Sequence, residues 1–119
     1  MRRNPVALTT RTNSINPNVV IIDLEGRLDV HQSNDIEKAI DRLIENKDNI
    51  NILINLEKVE YLSSSGLRIF IATKRKLKDK DGKMRLMNMN DAVRKIFKVV
   101  ELIDLFDVYT DEDEAVKSF

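Results

Sequence analysis

Residues 50–67, Ile50-Asn51-Ile52-Leu53-Ile54-Asn55-Leu56-Glu57-Lys58-Val59-Glu60-Tyr61-Leu62-Ser63-Ser64-Ser65-Gly66-Leu67, join an apolar β-branched run to a cluster of serines and then to a helical pattern. The run Ile50–Leu56 has the length and composition of a strand buried on both faces or set in the middle of a sheet. Behind the serines, Leu67, Ile69, Phe70 and Ile71 open a helix. Its later turns carry Lys74, Arg75, Lys76 and Lys78, where cations meet the negative end of the helix dipole. Asp81-Gly82 supplies the stop. Strand, serine turn, helix is the reading on which the rest of the chain depends.

The same alternation extends in both directions. Val19-Val20-Ile21-Ile22-Asp23-Leu24 is a second apolar strand, ending near Gly26. Between the two strands, Ile36, Ala39, Ile40, Leu43 and Ile44 recur at helical spacing, with Asn34 as the expected cap and Glu37 three residues on. Met84–Met89 reads as a strand, and Asn90 or Asp91 as the cap of a third helix with Val93, Ile96, Phe97 and Val100 on its apolar stripe. Leu105–Tyr109 reads as a short last strand. The tail Asp111–Phe119 opens with acids suited to a helix N-terminus and offers Ala115, Val116 and Phe119 for packing. Ala7–Thr12 is threonine-rich and reads as an edge strand. Strands alternating with helices imply a small α/β domain.

With 119 residues, the chain suits one domain and is short for two. Twenty basic and twenty acidic side chains cancel, and 42% of residues are apolar, which argues against recruitment of nucleic acid by bulk charge. The absence of cysteine excludes disulfides, thiol catalysis and cysteine-ligated zinc. MRRNPVALTTRTN lacks the apolar centre of a signal peptide, and no run is long enough to span a bilayer. The expectation is a cytoplasmic protein without direct membrane insertion.

Three of the six serines and one of the three glycines stand together at 63–66. One hydroxyl is enough to cap a helix. Gly66 in the first turn removes a side chain where a phosphate or another backbone could approach. With its flanks, Asn55–Leu67 resembles the signature of STAS domains, specifically bacterial anti-sigma factor antagonists, in which a strand leads into D-S-S/A-G-L and the first serine of the pair is phosphorylated. Leu24-Glu25-Gly26-Arg27-Leu28-Asp29 is similar to the family's G-E/R-L-D motif, and Val93-Arg94-Lys95-Ile96-Phe97 to its third-helix pattern. The likeness runs from about Val19 to the C-terminus.

The resemblance implies a single STAS-like α/β domain over residues 1–119, with residues 1–5 as a flexible tail. Its mixed central sheet would have four to five strands packed against about four helices. It implies phosphorylation at Ser64, with Ser63 and Ser65 as alternatives. A partner surface would comprise Asp29, His31, Ser63, Ser64, Ser65, Gly66, Leu67 and Arg68. The implied partners are an anti-sigma factor that is also a serine kinase of the histidine-kinase-like ATPase fold, and a serine phosphatase. Two positions depart from the family pattern: Ser63 stands where aspartate is usual, and Glu101 where many members have glycine. The first departure keeps open an alternative, a non-phosphorylated scaffold subunit of a larger signalling or transporter-associated complex.

The remaining constellations read as structural. His31 is the sole histidine, without a second ligand at metal spacing or a serine partner for nucleophilic catalysis, and is expected in an exposed loop or at a partner contact. Glu57 with Glu60, and Asp111–Glu114, lack calcium-loop spacing and read as solvated caps and turns. The basic run Lys74–Lys83 has no interleaved aromatic and reads as a solvated helix end. Phosphate-binding glycine loops are missing, and Met84, Met87 and Met89 read as fillers of core or interface gaps. No cofactor, metal or catalytic residue is expected, and the chain reads as a binding module rather than an enzyme.

Overall fold

The structure, a computed structural model, describes residues 7–45 and 47–119. The expected tail at 1–5 lies outside the described residues. Five strands form one sheet in the order β1 (Ala7–Asn13), β2 (Asn16–Leu28), β3 (Asn51–Leu62), β4 (Lys83–Met87), β5 (Val108–Tyr109). β1 and β2 form an antiparallel hairpin, whereas β2, β3, β4 and β5 pair in parallel. Helices α1 (Val30–Ile44), α2 (Ser64–Lys78) and α3 (Asp91–Val99) connect the parallel strands, and α4 (Glu112–Lys117) ends the chain. The sheet is mixed, as the family resemblance implied, and β1 is its edge strand, as the sequence led us to expect; its antiparallel pairing is what the structure adds.

Side-chain alternation explains why the strand sequences are apolar almost throughout. Ile22, Leu24, Ile52, Ile54, Leu56, Met84 and Leu86 face α1, α2 and α3 in the main core. Val19, Ile21, Leu53 and Met87 face the other way, onto Ala115 and Val116 of α4. α4 is short, and beyond it that second face turns polar. Arg11 Nε donates to Asp23 (2.7 Å), Arg11 also pairs with Glu112 (2.6 Å), and Asn55 donates to Asp23 (2.8 Å). Glu112 is thus a cross-chain anchor rather than a solvated acid. Its pKa is lowered chiefly by the hydrogen bond from Arg11. At Asp23 burial pushes the pKa up, but hydrogen bonds from Arg11 and Asn55 outweigh it and the net shift is down.

Several expected boundaries move. α1 begins at Val30, six residues before Ile36, capped by Asp29 and not Asn34, because the Asp29 carboxylate accepts from the His31 and Gln32 N–H groups (3.0 and 3.1 Å). His31 therefore sits in a helix turn, exposed, instead of in a loop. β2 runs through Gly26 (φ 109°), and the β2–β3 register slips on either side of it, so both strands outlast their apolar runs. Leu105 does not begin a strand. Ile103–Leu105 form a 3-10 turn that delivers Phe106 edge-on to Phe97 (5.7 Å between centroids), which in turn stacks on Phe70 (6.3 Å). α3 stops at Val99, and Val100 lies outside the core at 45% exposure. The basic run is only partly solvated, since Lys76 bonds Asp41 (2.7 Å), Lys80 reaches the Ile44 carbonyl and Lys74 the Leu105 carbonyl.

Candidate functional site

β2 and β3 are parallel and end in register, with Leu28 opposite Leu62. The next residue on each strand caps a helix: Asp29 opens α1 and Ser63 opens α2. Two helix N-termini therefore emerge side by side at one edge of the sheet. Each leaves backbone N–H groups without intrahelical partners, and each presents the positive end of its dipole to solvent.

The serines divide the work at this junction. Ser63 Oγ donates to the Leu28 carbonyl (2.7 Å) and accepts from the Gly66 N–H (3.2 Å), while its own N–H also donates to the Leu28 carbonyl (3.0 Å). Ser63 is fully used in tying β2, β3 and α2 together. An aspartate there would cap but could not donate to Leu28, which is a physical reason for serine at this position. Ser64, the first residue of α2, is exposed, and its hydroxyl makes no hydrogen bond among the described residues. Ser65 is half-buried.

Gly66 serves packing, not ligand access. A Cβ there would lie 2.5 Å from Leu62 Cδ1 and 3.2 Å from Leu28 Cβ, so the missing side chain lets α2 close against the ends of β2 and β3. Leu67 is buried in the main core at 5% exposure. Gly66 and Leu67 thus shape the site from beneath, and Asp29, His31, Ser64, Ser65 and Arg68 remain at or near the surface. Ser65 and Arg68 also line a small cleft, about 130 Å³, against Ser33, Asn34, Glu37 and Ile69. The buried Ser33 hydroxyl finds no hydrogen-bond partner in it.

Val30 (58% exposed) and Tyr61 (39% exposed) add apolar surface beside the caps. Arg27 lies over the Tyr61 ring, 4.6 Å from its centroid, and steadies it. Sequence reasoning missed this pair, because an isolated valine or tyrosine next to a strand reads as core. Among the described residues no group of three or more His, Asp or Glu side chains is placed to hold a metal ion, and no helix is long and apolar enough to cross a membrane.

Comparison with known proteins matches residues 11–115 to the family model described as STAS domain. An anti-sigma F factor antagonist from Paenibacillus polymyxa is 26% identical over 98 residues, covering 82% of this chain and 84% of the relative. Among solved structures, the anti-sigma factor antagonist SpoIIAA in its unphosphorylated form superposes with a TM-score of 0.78 at 27% identity, over 94% of this chain and 95% of that one. The Bacillus cell fate determinant SpoIIAA in its phosphorylated form gives 0.71 at 26% identity, over 94% and 98%.

Proposed function

Because this chain belongs to the STAS domain family, we propose that it is an anti-sigma factor antagonist, a binding module without catalytic activity that is gated by phosphorylation of Ser64. Unmodified, it binds an anti-sigma factor and so releases a sigma factor. The anti-sigma factor is also a serine kinase of the histidine-kinase-like ATPase fold. Its phosphorylation of Ser64 ends the complex, and a serine phosphatase restores it. The observation that carries the choice of residue is the division between neighbours: Ser63 spends its hydroxyl on the fold, whereas Ser64 offers an exposed, unbonded one.

Electrostatics support such a gate. A phosphate adds about −1.5 to −2 charges. On the first residue of α2 it faces free N–H groups and the positive end of the dipole, so the fold tolerates it. A partner packed over Ser64, Tyr61, Val30, His31 and Arg68 would have to desolvate that dianion beside Asp29, at a cost of several kcal/mol or more. Each 1.4 kcal/mol is about tenfold in affinity, so a fraction of that cost dissolves a micromolar complex.

The test is titration of the cognate anti-sigma factor with the wild type, Ser64→Ala and Ser64→Asp. Ala should keep wild-type affinity and resist inactivation by the kinase with ATP, and Asp should bind at least tenfold more weakly. Equal affinity of both variants would sink the reading and favour the scaffold subunit, in which the serines only turn the chain.

A further inference from the structure

α3 buries one apolar stripe fully, and leaves a second, which touches the core only through the half-buried Ile96, open along the helix and its C-cap Val100. Val93 and Phe97 are fully buried in the main core. Ala92, Ile96, Val99 and Val100, spaced i, i+4, i+7 and i+8, form a second stripe that with Lys95 lines an open apolar groove on the outer surface. Val99 is 73% exposed and Val100 45%. A valine pair this exposed at the end of a helix is surface that folding leaves unburied.

Charge identifies what would cover it. Between Asp91 and Glu101 every charged residue of α3 is a cation: Arg94, Lys95 and Lys98, and none forms an ion pair with a described residue. Lys95 lines the groove itself, and the exposed Lys98 follows about one turn further along the same side. The groove between α2 and the Ile103–Leu105 turn repeats the pattern, with Ile71, Leu105 and Phe106 as its floor and Lys74, Arg75 and Lys78 at its rim. The whole chain is neutral, so these cations are a local concentration. A second copy of the chain is a poor occupant. A twofold apposition of this groove would bring the two copies of Lys95 together, like charge against like charge.

We infer that the outer face of α3 is a docking site for an acidic amphipathic helix of a partner protein, separate from the Ser64 surface. The stripe receives the apolar side of that helix, and Lys95 and Lys98 meet its carboxylates, so that charge sets orientation and association rate while the valines supply the contact area. Phosphorylation of Ser64 is not required for this contact.

The experiment is amide NMR titration of the full chain with a helical 18-residue peptide bearing a leucine stripe flanked by glutamates, and with its counterpart bearing lysines instead. The glutamate peptide should shift Ala92, Ile96, Val99 and Val100, in wild type and Ser64→Asp alike. Val99→Asp should weaken it at least tenfold without loss of folding, given how exposed Val99 is. Lys95→Glu with Lys98→Glu should weaken it by roughly tenfold and reverse the preference between peptides. Equal binding of both peptides, shifts centred elsewhere, or none up to millimolar peptide would overturn the inference. So would concentration-dependent self-association of the chain that Val99→Asp abolishes, since the occupant would then be a second copy.

Discussion

Replacing Ser63 with alanine separates the capping serine from the free one. The substitution removes the acceptor for the Gly66 N–H and the donor to the Leu28 carbonyl. Loss of a serine cap costs about 1 kcal/mol, and loss of a neutral hydrogen bond about another 1 kcal/mol. The Leu28 carbonyl keeps the Ser63 N–H at 3.0 Å, so it is not orphaned and no further desolvation cost applies. The expected destabilisation is about 2 kcal/mol, or a fall in Tm of about 8 °C for a domain of this size. Ser64→Ala, by contrast, removes an exposed hydroxyl without a partner and should stay within about 0.5 kcal/mol of wild type. Urea unfolding of the two variants, with m-values checked for constancy, measures the difference. If both variants unfold at the wild-type midpoint, or Ser64→Ala is the less stable, the assignment of cap and free hydroxyl is wrong.

Further outcomes follow from the packing and the charges. Gly82→Ala should destabilise by about 2 kcal/mol or more, because its Cβ would stand 2.3 Å from the Ile50 carbonyl oxygen, a backbone atom just before β3 that accepts from the Lys83 N–H; thermal unfolding reads it. Phe97→Ala should cost about 3–5 kcal/mol by emptying the space between Phe70 and Phe106, measured by urea unfolding. The carboxyls of Asp23 and Glu112 are held below their ordinary range, so their contribution is present above the unfolded pKa values of about 4 and is lost as pH falls through the lower folded values. Arg11→Ala should therefore flatten the loss of stability between about pH 5 and pH 2, and an unchanged pH profile would show that the pairing contributes nothing.

How far the sequence revealed this molecule depends on what apolar periodicity can register. The parallel strands and the inner stripes of α1 and α2 were legible because Ile, Leu and Val recur at the right period. The first turn of α1 was not, since Gln32 and Ser33 are buried there despite being polar, and no hydrophobic signal marks such a turn. The ends of β2 and β3 were hidden in the same way: register slips around Gly26 carry the pairing through Glu25, Arg27, Lys58 and Tyr61. α3 misled in the opposite sense, because Val100 continues the spacing of Val93 and Phe97 while lying past the end of the helix. At the site, the motif located the serine loop, but only the hydrogen bonds distinguish Ser63 from Ser64, and only the fold leaves Val30 and Tyr61 at the surface beside them.

The central claim, that Ser64 is the regulated hydroxyl, is tested most directly by intact-mass and fragment-ion spectrometry of the chain purified from its own cells, with and without phosphatase treatment. A single phosphatase-sensitive phosphate on Ser64 is the predicted result. A phosphate on Ser63 would contradict the division of roles at the cap, and none under any growth condition would contradict the switch itself.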